Sequence, residues 1–277
     1  MYIPYHVRRS IRFALEEDIG NGDITTTLIV PEDQKSRAAI VAKAGFIVAG
    51  IPFAMEAFNA VDGKTDWKIF SREGSVVKRG DVIAEISGST RALLTSERVG
   101  LNVLQRLSGI ATLTGAFVKR VRGTHVKIMD TRKTSPGLRF MEKYAVRMGG
   151  GHNHRFGLYD GILIKDNHIE AAGSVRKAVS AAREAHRLMK IEVEVENLED
   201  LREAIRAGAD VIMLDNMSLE DMSQAVKVAK GKVLLEASGN MSIGRVRAVA
   251  ETGVDLISVG LLTHSAPAAD ISMKIVG

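Results

Sequence analysis

The second half of the chain alternates between two kinds of stretch. Short strand-like runs occur at VKIMD (126–130), GILIKD (161–166), IEVEVE (191–196), VIMLDN (211–216), VLLEASG (233–239) and LISVG (256–260). Between them lie segments with helical spacing, such as SVRKAVSAAREAHRLM and LEDLREAIRAG. Strand, helix, strand at this pitch predicts βα units and a parallel sheet. The unit repeats visibly: AIRAGADVIMLDN (204–216) and AVAETGVDLISVG (248–260) share a helix, then x-Gly-x-Asp, then a strand. Glycine there suits the left-handed residue that closes a helix. Six units fall short of the eight of a full barrel, so a barrel is expected and an open sheet is the alternative.

The first part has a different pattern. A helix is predicted over 6–17, then strands within RAAIVAKAGFIVAG, DWKIFS and DVIAEISG. A long helix follows over roughly 91–121, with Leu101, Leu104, Leu107, Ala111 and Val118 on one face. The glycine spacing of REGSVVKRGDVIAEIS suggests tight turns like those of carrier domains, but no lysine stands where a lipoyl or biotinyl group would be attached. The domain boundary is expected within or just after the long helix.

Composition narrows the chemistry. The 277 residues include no cysteine, which excludes disulfides, thiolate metal sites and cysteine nucleophiles and suits an intracellular protein. The N-terminal stretch lacks the apolar core of a signal peptide, and the most apolar window (38–55) contains Lys43, two glycines and Pro52, so no membrane span is expected. The net charge of +5 admits nucleic acid or small anions as partners. Aromatics are only 5% and most cations are interleaved with acids, which favours small anions over nucleic acid.

Charged or small residues stand at the C-terminal ends of the predicted strands: Asp130 with Arg132 and Lys133, Lys165 with Asp166, Glu194 and Glu196, Asp215, Glu236 with Ser238, and Ser258 with Gly260. In a (β/α) barrel that rim is where active sites are built. Arginines and lysines gathered there await an anion. Arg139 and Lys143, placed on a helix, are read instead as parts of an ion-pair network with Asp130, Glu142 and Asp166. The loop GGGHNHR (149–155) can bring backbone amides to an anion, and its histidines suit a metal ligand, a general acid or a purely structural role. Glu194 and Asp215 suit a hard divalent cation such as Mg²⁺, or ribose hydroxyls; plain charge balance is the alternative. ASGN (237–240) and SVGLLTHS (258–265) fit a phosphate held by backbone amides after the late strands.

Seven motifs carry a family resemblance: EDIGNGDITT, SERVGLNVLQRLSGIAT, the block 130–169, EVEVENLED, VIMLDN, LEASGN and SVGLLTHS. In that order they resemble the quinolinate phosphoribosyltransferases, with small departures such as Ser135 where the family often has threonine. The resemblance implies an α/β fold: an N-terminal α/β sandwich domain (1–110), an incomplete (β/α) barrel (111–266) and a tail (267–277) returning to the first domain. It implies a cytoplasmic homodimer or hexamer (a trimer of dimers) in which Arg98 reaches across an interface. Arg132, Arg155 and Lys165 would then bind the two carboxylates of quinolinate, with Lys133 and His154 beside them. Glu194 and Asp215 would hold the ribose hydroxyls and Mg²⁺ of phosphoribosyl pyrophosphate. Ser238, Gly239 and Gly260 would take its 5′-phosphate, with His264 nearby. Lys133, Lys165, Glu194 and Asp215 are the implied catalytic residues. The implied products are nicotinate mononucleotide, pyrophosphate and CO₂, in de novo NAD biosynthesis. The alternatives are nicotinate as the acceptor, a molybdate-transport-associated paralogue with another acceptor, and a metal-dependent barrel hydrolase using His152, His154 and Lys165.

Overall fold

A computed structural model describes residues 2–276. Its elements begin with α1 (Tyr5–Ile19), α2 (Ile24–Ile29), β1 (Lys35–Ala42), β2 (Phe46–Ile47), α3 (Ile51–Val61), β3 (Asp66–Ile69), β4 (Val76–Val77), β5 (Val82–Ser89) and α4 (Thr90–Arg120). Then follow β6 (Lys127–Met129), α5 (Arg139–Met148), β7 (Ile162–Ile164), α6 (Asp166–Ala172), α7 (Val175–Ala185), β8 (Ile191–Val195) and α8 (Leu198–Ala207). The chain closes with β9 (Val211–Asp215), α9 (Leu219–Ala229), β10 (Leu234–Ser238), α10 (Val246–Glu251), β11 (Leu256–Ser258), α11 (Leu261–His264) and β12 (Ile271–Val276). Among the described residues no helix is long and apolar enough to cross a membrane.

The chain divides into two units. One comprises the residues up to Gly115, Thr134–Gly150 and those from Ser265 onward; the other comprises Ala116–Lys133 and Gly151–His264. The segment 134–150, which lies inside the implied 111–266 domain, therefore clusters with the first unit.

The first unit is built on an antiparallel sheet ordered β12-β1-β5-β3. The tail supplies an edge strand: Ile271 stands opposite Ala42 and Val276 opposite Arg37. Ala38, Ile40 and Ala42 of β1 join Phe58 of α3 and Leu93, Leu101 and Leu104 of α4 in one buried apolar cluster. Glu142, expected in an ion-pair network with Arg139 and Lys143, is held by Arg106 at 2.6 Å, and Arg106 also donates to Ser135 Oγ. Nothing in the local spacing signals that pair, because its members lie 36 positions apart.

The second unit is a six-stranded parallel sheet in the order β6-β11-β10-β9-β8-β7. Chain order is kept around the sheet, except that the first strand lies beside the last. That is a barrel left open at one seam, between β6 and β7. Its helices carry the caps the sequence offers. Ser174, Asn197 and Ser218 each accept a backbone N–H from the first turn of the helix that follows. The repeated x-Gly-x-Asp has a shared purpose. Gly208 and Gly253 take φ of 86° and 95° and turn the chain out of the preceding helix. The aspartate two residues later then staples the neighbouring strand: Asp210 Oδ2 accepts the Ile191 N–H at 2.8 Å, and Asp255 Oδ2 accepts that of Leu235 at 2.8 Å. Both strands thus start in fixed register, which in turn aligns their C-terminal ends.

Candidate active site

Side chains alternate along each strand, and neighbours in register share a face. Glu194 pairs with Met213, Met213 with Glu236, and Asp215 with Ser238. One face of the sheet therefore carries Glu192 and Glu194 on β8, Val211, Met213 and Asp215 on β9, Glu236 and Ser238 on β10, and Ser258 on β11. The opposite set (Ile191, Val193, Ile212, Leu214, Leu235, Ala237) is buried and apolar. This alternation directs the charged groups to one side.

At the C-terminal end of that face opens a cavity of about 550 Å³. Arg132, Lys133, His154, Arg155, Lys165, Glu194, Asp215, Ser238 and Gly239 all line it, together with Thr131, Leu163, Met213, Asn216, Asn240 and Ser258. A contiguous hollow of about 350 Å³ adds Gly260 and His264 and shares Lys133, Ser238 and Gly239. Eleven of the twelve expected site residues thus converge. The twelfth, Arg98, lies on α4 in the first unit and lines a separate cleft of about 260 Å³ with Glu17, Asp18 and Asn102. Glu196, also expected at the rim, is exposed and does not line the cavity.

The loop GGGHNHR reaches the site by pairing along the free edge of β6. His152 N–H donates to Ile128 O at 2.8 Å, and Asp130 N–H donates to His152 O at 3.0 Å. The buried Asp130 then fixes the next turn, accepting Asn153 Nδ2 at 2.5 Å and the His154 N–H at 2.9 Å. His152 is left exposed while His154 faces inward, so the two histidines do not converge on a shared cation as the hydrolase alternative requires.

The cations crowd one another. Arg155 is pulled below the ordinary arginine value, by burial first and by the positive charge of Arg132 second. Its guanidinium is anchored on Gly161 O at 3.0 Å. Lys165 is paired with Glu194, a contact closer than an ordinary hydrogen bond. Lys133 is set by its own backbone: its N–H donates to Thr131 Oγ1 at 3.0 Å, and its carbonyl accepts Thr263 Oγ1 at 2.7 Å.

Beneath the cations lies a buried acidic floor. His154 Nε2 stands 2.9 Å from Glu192 Oε2 and 3.7 Å from Glu236 Oε1, while His154 Nδ1 accepts the Arg155 N–H at 2.8 Å. Both ring nitrogens are therefore engaged by the protein. Ser258 Oγ donates to Glu236, in a contact closer than an ordinary hydrogen bond. Glu236 is pushed up to about 7, by burial first and by Glu192 second, with His154 and Ser258 opposing. Glu192 Oε1 is buried without a hydrogen-bond partner among the described residues. Sequence reading missed Glu192, although its signal was present: it lies two positions before Glu194 in IEVEVE and so shares that residue's face.

The chain matches two family descriptions, "Quinolinate phosphoribosyl transferase, N-terminal domain" over residues 23–108 and "Quinolinate phosphoribosyl transferase, C-terminal domain" over residues 110–274. It is 50% identical to a probable nicotinate-nucleotide pyrophosphorylase (carboxylating) of Bacillus subtilis (strain 168), covering 94% of this chain and 90% of that one. It is 42% identical to the nicotinate-nucleotide pyrophosphorylase (carboxylating) of Mycobacterium leprae (strain TN), covering 97% and 96%. The solved nicotinate-nucleotide pyrophosphorylase from Francisella tularensis superposes with a TM-score of 0.94 at 43% identity, covering 99% of this chain and 98% of that one. The chain belongs to the quinolinate phosphoribosyltransferase family.

Proposed function

We propose that the chain transfers the phosphoribosyl group of phosphoribosyl pyrophosphate to quinolinate with decarboxylation, giving nicotinate mononucleotide, pyrophosphate and CO₂ in NAD biosynthesis. The carrying observation is the convergence of Arg132, Lys133, Arg155 and Lys165 on one cavity that also holds Glu194 and Asp215. Four cations against two carboxylates leave room for an acceptor bearing two negative charges. An acceptor with one carboxylate would leave more of the repulsion between Arg132 and Arg155 unrelieved.

In this reading Arg132, Arg155 and Lys165 grip the acceptor's carboxylates and aim its ring nitrogen at C1 of the ribose. The nitrogen's lone pair forms the new bond as the bond from C1 to the pyrophosphate oxygen breaks. The ring nitrogen, now cationic, stabilises the electron pair left on the adjacent ring carbon when the 2-carboxylate departs as CO₂, and a proton from water then adds to that carbon. No side chain serves as nucleophile. The protein supplies positioning and fixed charge, with Lys133 beside the acceptor.

The oxygens of Asp215 and Glu194, on adjacent strands, are hard donors of the kind that suit Mg²⁺ bound partly through substrate phosphates. Mg²⁺ would neutralise charge on the departing pyrophosphate. Ser238, Gly239 and Gly260, with His264 beside them, line the hollow suited to the 5′-phosphate. Assembly as a homo-oligomer, working in the cytoplasm, belongs to the same reading. It is supported by the exposed apolar side chains of Tyr2, Tyr5, Phe13, Ile24, Leu28 and Ile29 near the N-terminus.

The test is stoichiometry. With quinolinate, phosphoribosyl pyrophosphate and Mg²⁺, CO₂ and pyrophosphate should appear in equal amounts; pyrophosphate without CO₂ would overturn the decarboxylating assignment.

A further inference from the structure

We propose that Asn216 is a positioning residue that locks the Asp215 carboxylate to the loop 238–240, so that the ribose-holding and phosphate-holding parts of the cavity form one rigid piece. This rests on the functional reading above and deepens it.

Four observations meet at this side chain. Asn216 follows the last residue of β9 and adopts φ of 54°, a left-handed conformation that a non-glycine residue seldom takes and that asparagine tolerates best. That turn brings both ends of its amide into use. Nδ2 donates to Asp215 Oδ2 at 2.7 Å, and Oδ1 accepts Asn240 Nδ2 at 3.0 Å. Its backbone N–H donates to Ser238 O at 3.1 Å, extending the pairing of β9 with β10 by one step. Across the gap the fit is close: a Cβ on Gly239 would lie 2.2 Å from Asn216 Oδ1. Glycine is thus required opposite the asparagine, and the two positions fit as a pair.

Arg245 clamps the same two segments, donating to Met217 O at 3.1 Å and to Gly239 O at 3.4 Å. Asn240 is itself left-handed, at φ of 48°. Two non-glycine residues in that conformation, facing each other across one cavity wall, mark backbone held by its surroundings at a functional site. Asn216 and Asn240 both line the cavity. Asn216 therefore fixes the direction of the carboxylate and the opening of the loop together. Neither can move toward a bound phosphoribosyl group without the other.

The acceptor cations come from other strands and loops, so the inference separates the two substrates. The experiment is calorimetric binding of phosphoribosyl pyrophosphate with Mg²⁺, and separately of quinolinate, to wild type, N216D and N216G. N216D keeps the shape and the acceptor for Asn240 but loses the donor to Asp215. N216G keeps the left-handed backbone and removes the side chain. Both variants should bind phosphoribosyl pyrophosphate about tenfold more weakly or worse, as for other groups that orient site residues, while quinolinate binding stays within about twofold. In turnover, KM for phosphoribosyl pyrophosphate should rise while KM for quinolinate does not. Retained quinolinate binding also shows that the variants are folded. Unchanged phosphoribosyl pyrophosphate binding, or equal weakening of both ligands, would overturn this inference alone. A wild-type chain that binds neither ligand would overturn the functional reading and this inference with it.

Discussion

His154 Nε2 lies 2.9 Å from Glu192 Oε2, which places an imidazole between the cations of the cavity and a buried pair of glutamates. The arrangement explains how four cations can share one cavity before any anion arrives. Asp130 and Glu192 supply negative charge from below, buried from solvent and little screened by it.

The buried pair makes stability depend on pH. Glu236 is raised from 4.5 to about 7, so the folded chain binds this proton more tightly than the unfolded chain does. Its stabilising contribution is fully present below about pH 4.5 and is lost as pH rises through about 7. Thermal unfolding of the wild type should therefore show Tm falling between pH 5 and pH 8. E236Q, which cannot titrate, should fall less over that interval. Parallel curves for the two proteins would count against the buried pair.

Arg132 is expected to serve the acceptor. R132A should weaken quinolinate binding about 10- to 100-fold, the usual cost of one charge-assisted hydrogen bond, and phosphoribosyl pyrophosphate binding much less. Calorimetry with each ligand alone checks this. Equal losses would reassign the guanidinium to both substrates.

Asp215 should act on the other substrate. D215N keeps the shape but removes the charge, so Mg²⁺-dependent binding of phosphoribosyl pyrophosphate should fall by at least about tenfold, with quinolinate binding retained. A titration at several Mg²⁺ concentrations would show it, and an unaltered Mg²⁺ dependence would remove Asp215 from that role.

Asp210 belongs to the scaffold. It accepts the Ile191 N–H and pairs with Arg183 at 2.6 Å, so D210A should cost about 1–3 kcal/mol in denaturant unfolding while leaving both ligand affinities near wild type. A variant as stable as wild type would show that the staple of β8 is dispensable.

The strands were legible because a parallel sheet covered by helices needs short apolar segments, and these stand out between amphipathic ones. The charged end of β9 was legible for the same reason: Asp215 closes the buried run VIML. Depth along a strand was not. IEVEVE shows three glutamates on one face, but only three-dimensional pairing reveals Glu192 buried in the floor, Glu194 in the cavity wall and Glu196 exposed. Contacts across long separations were hidden too. Arg106 reaches Glu142, and Asn216 reaches Asn240, through folding that no local pattern encodes.

The central claim is a decarboxylating transfer to a dicarboxylate acceptor, and mass spectrometry of products tests it most directly. The protein would be incubated with phosphoribosyl pyrophosphate and Mg²⁺, with quinolinate in one reaction and nicotinate in another. The account predicts nicotinate mononucleotide from quinolinate and none from nicotinate. Nicotinate mononucleotide formed equally from nicotinate, or no nucleotide from quinolinate with a folded protein, would contradict it.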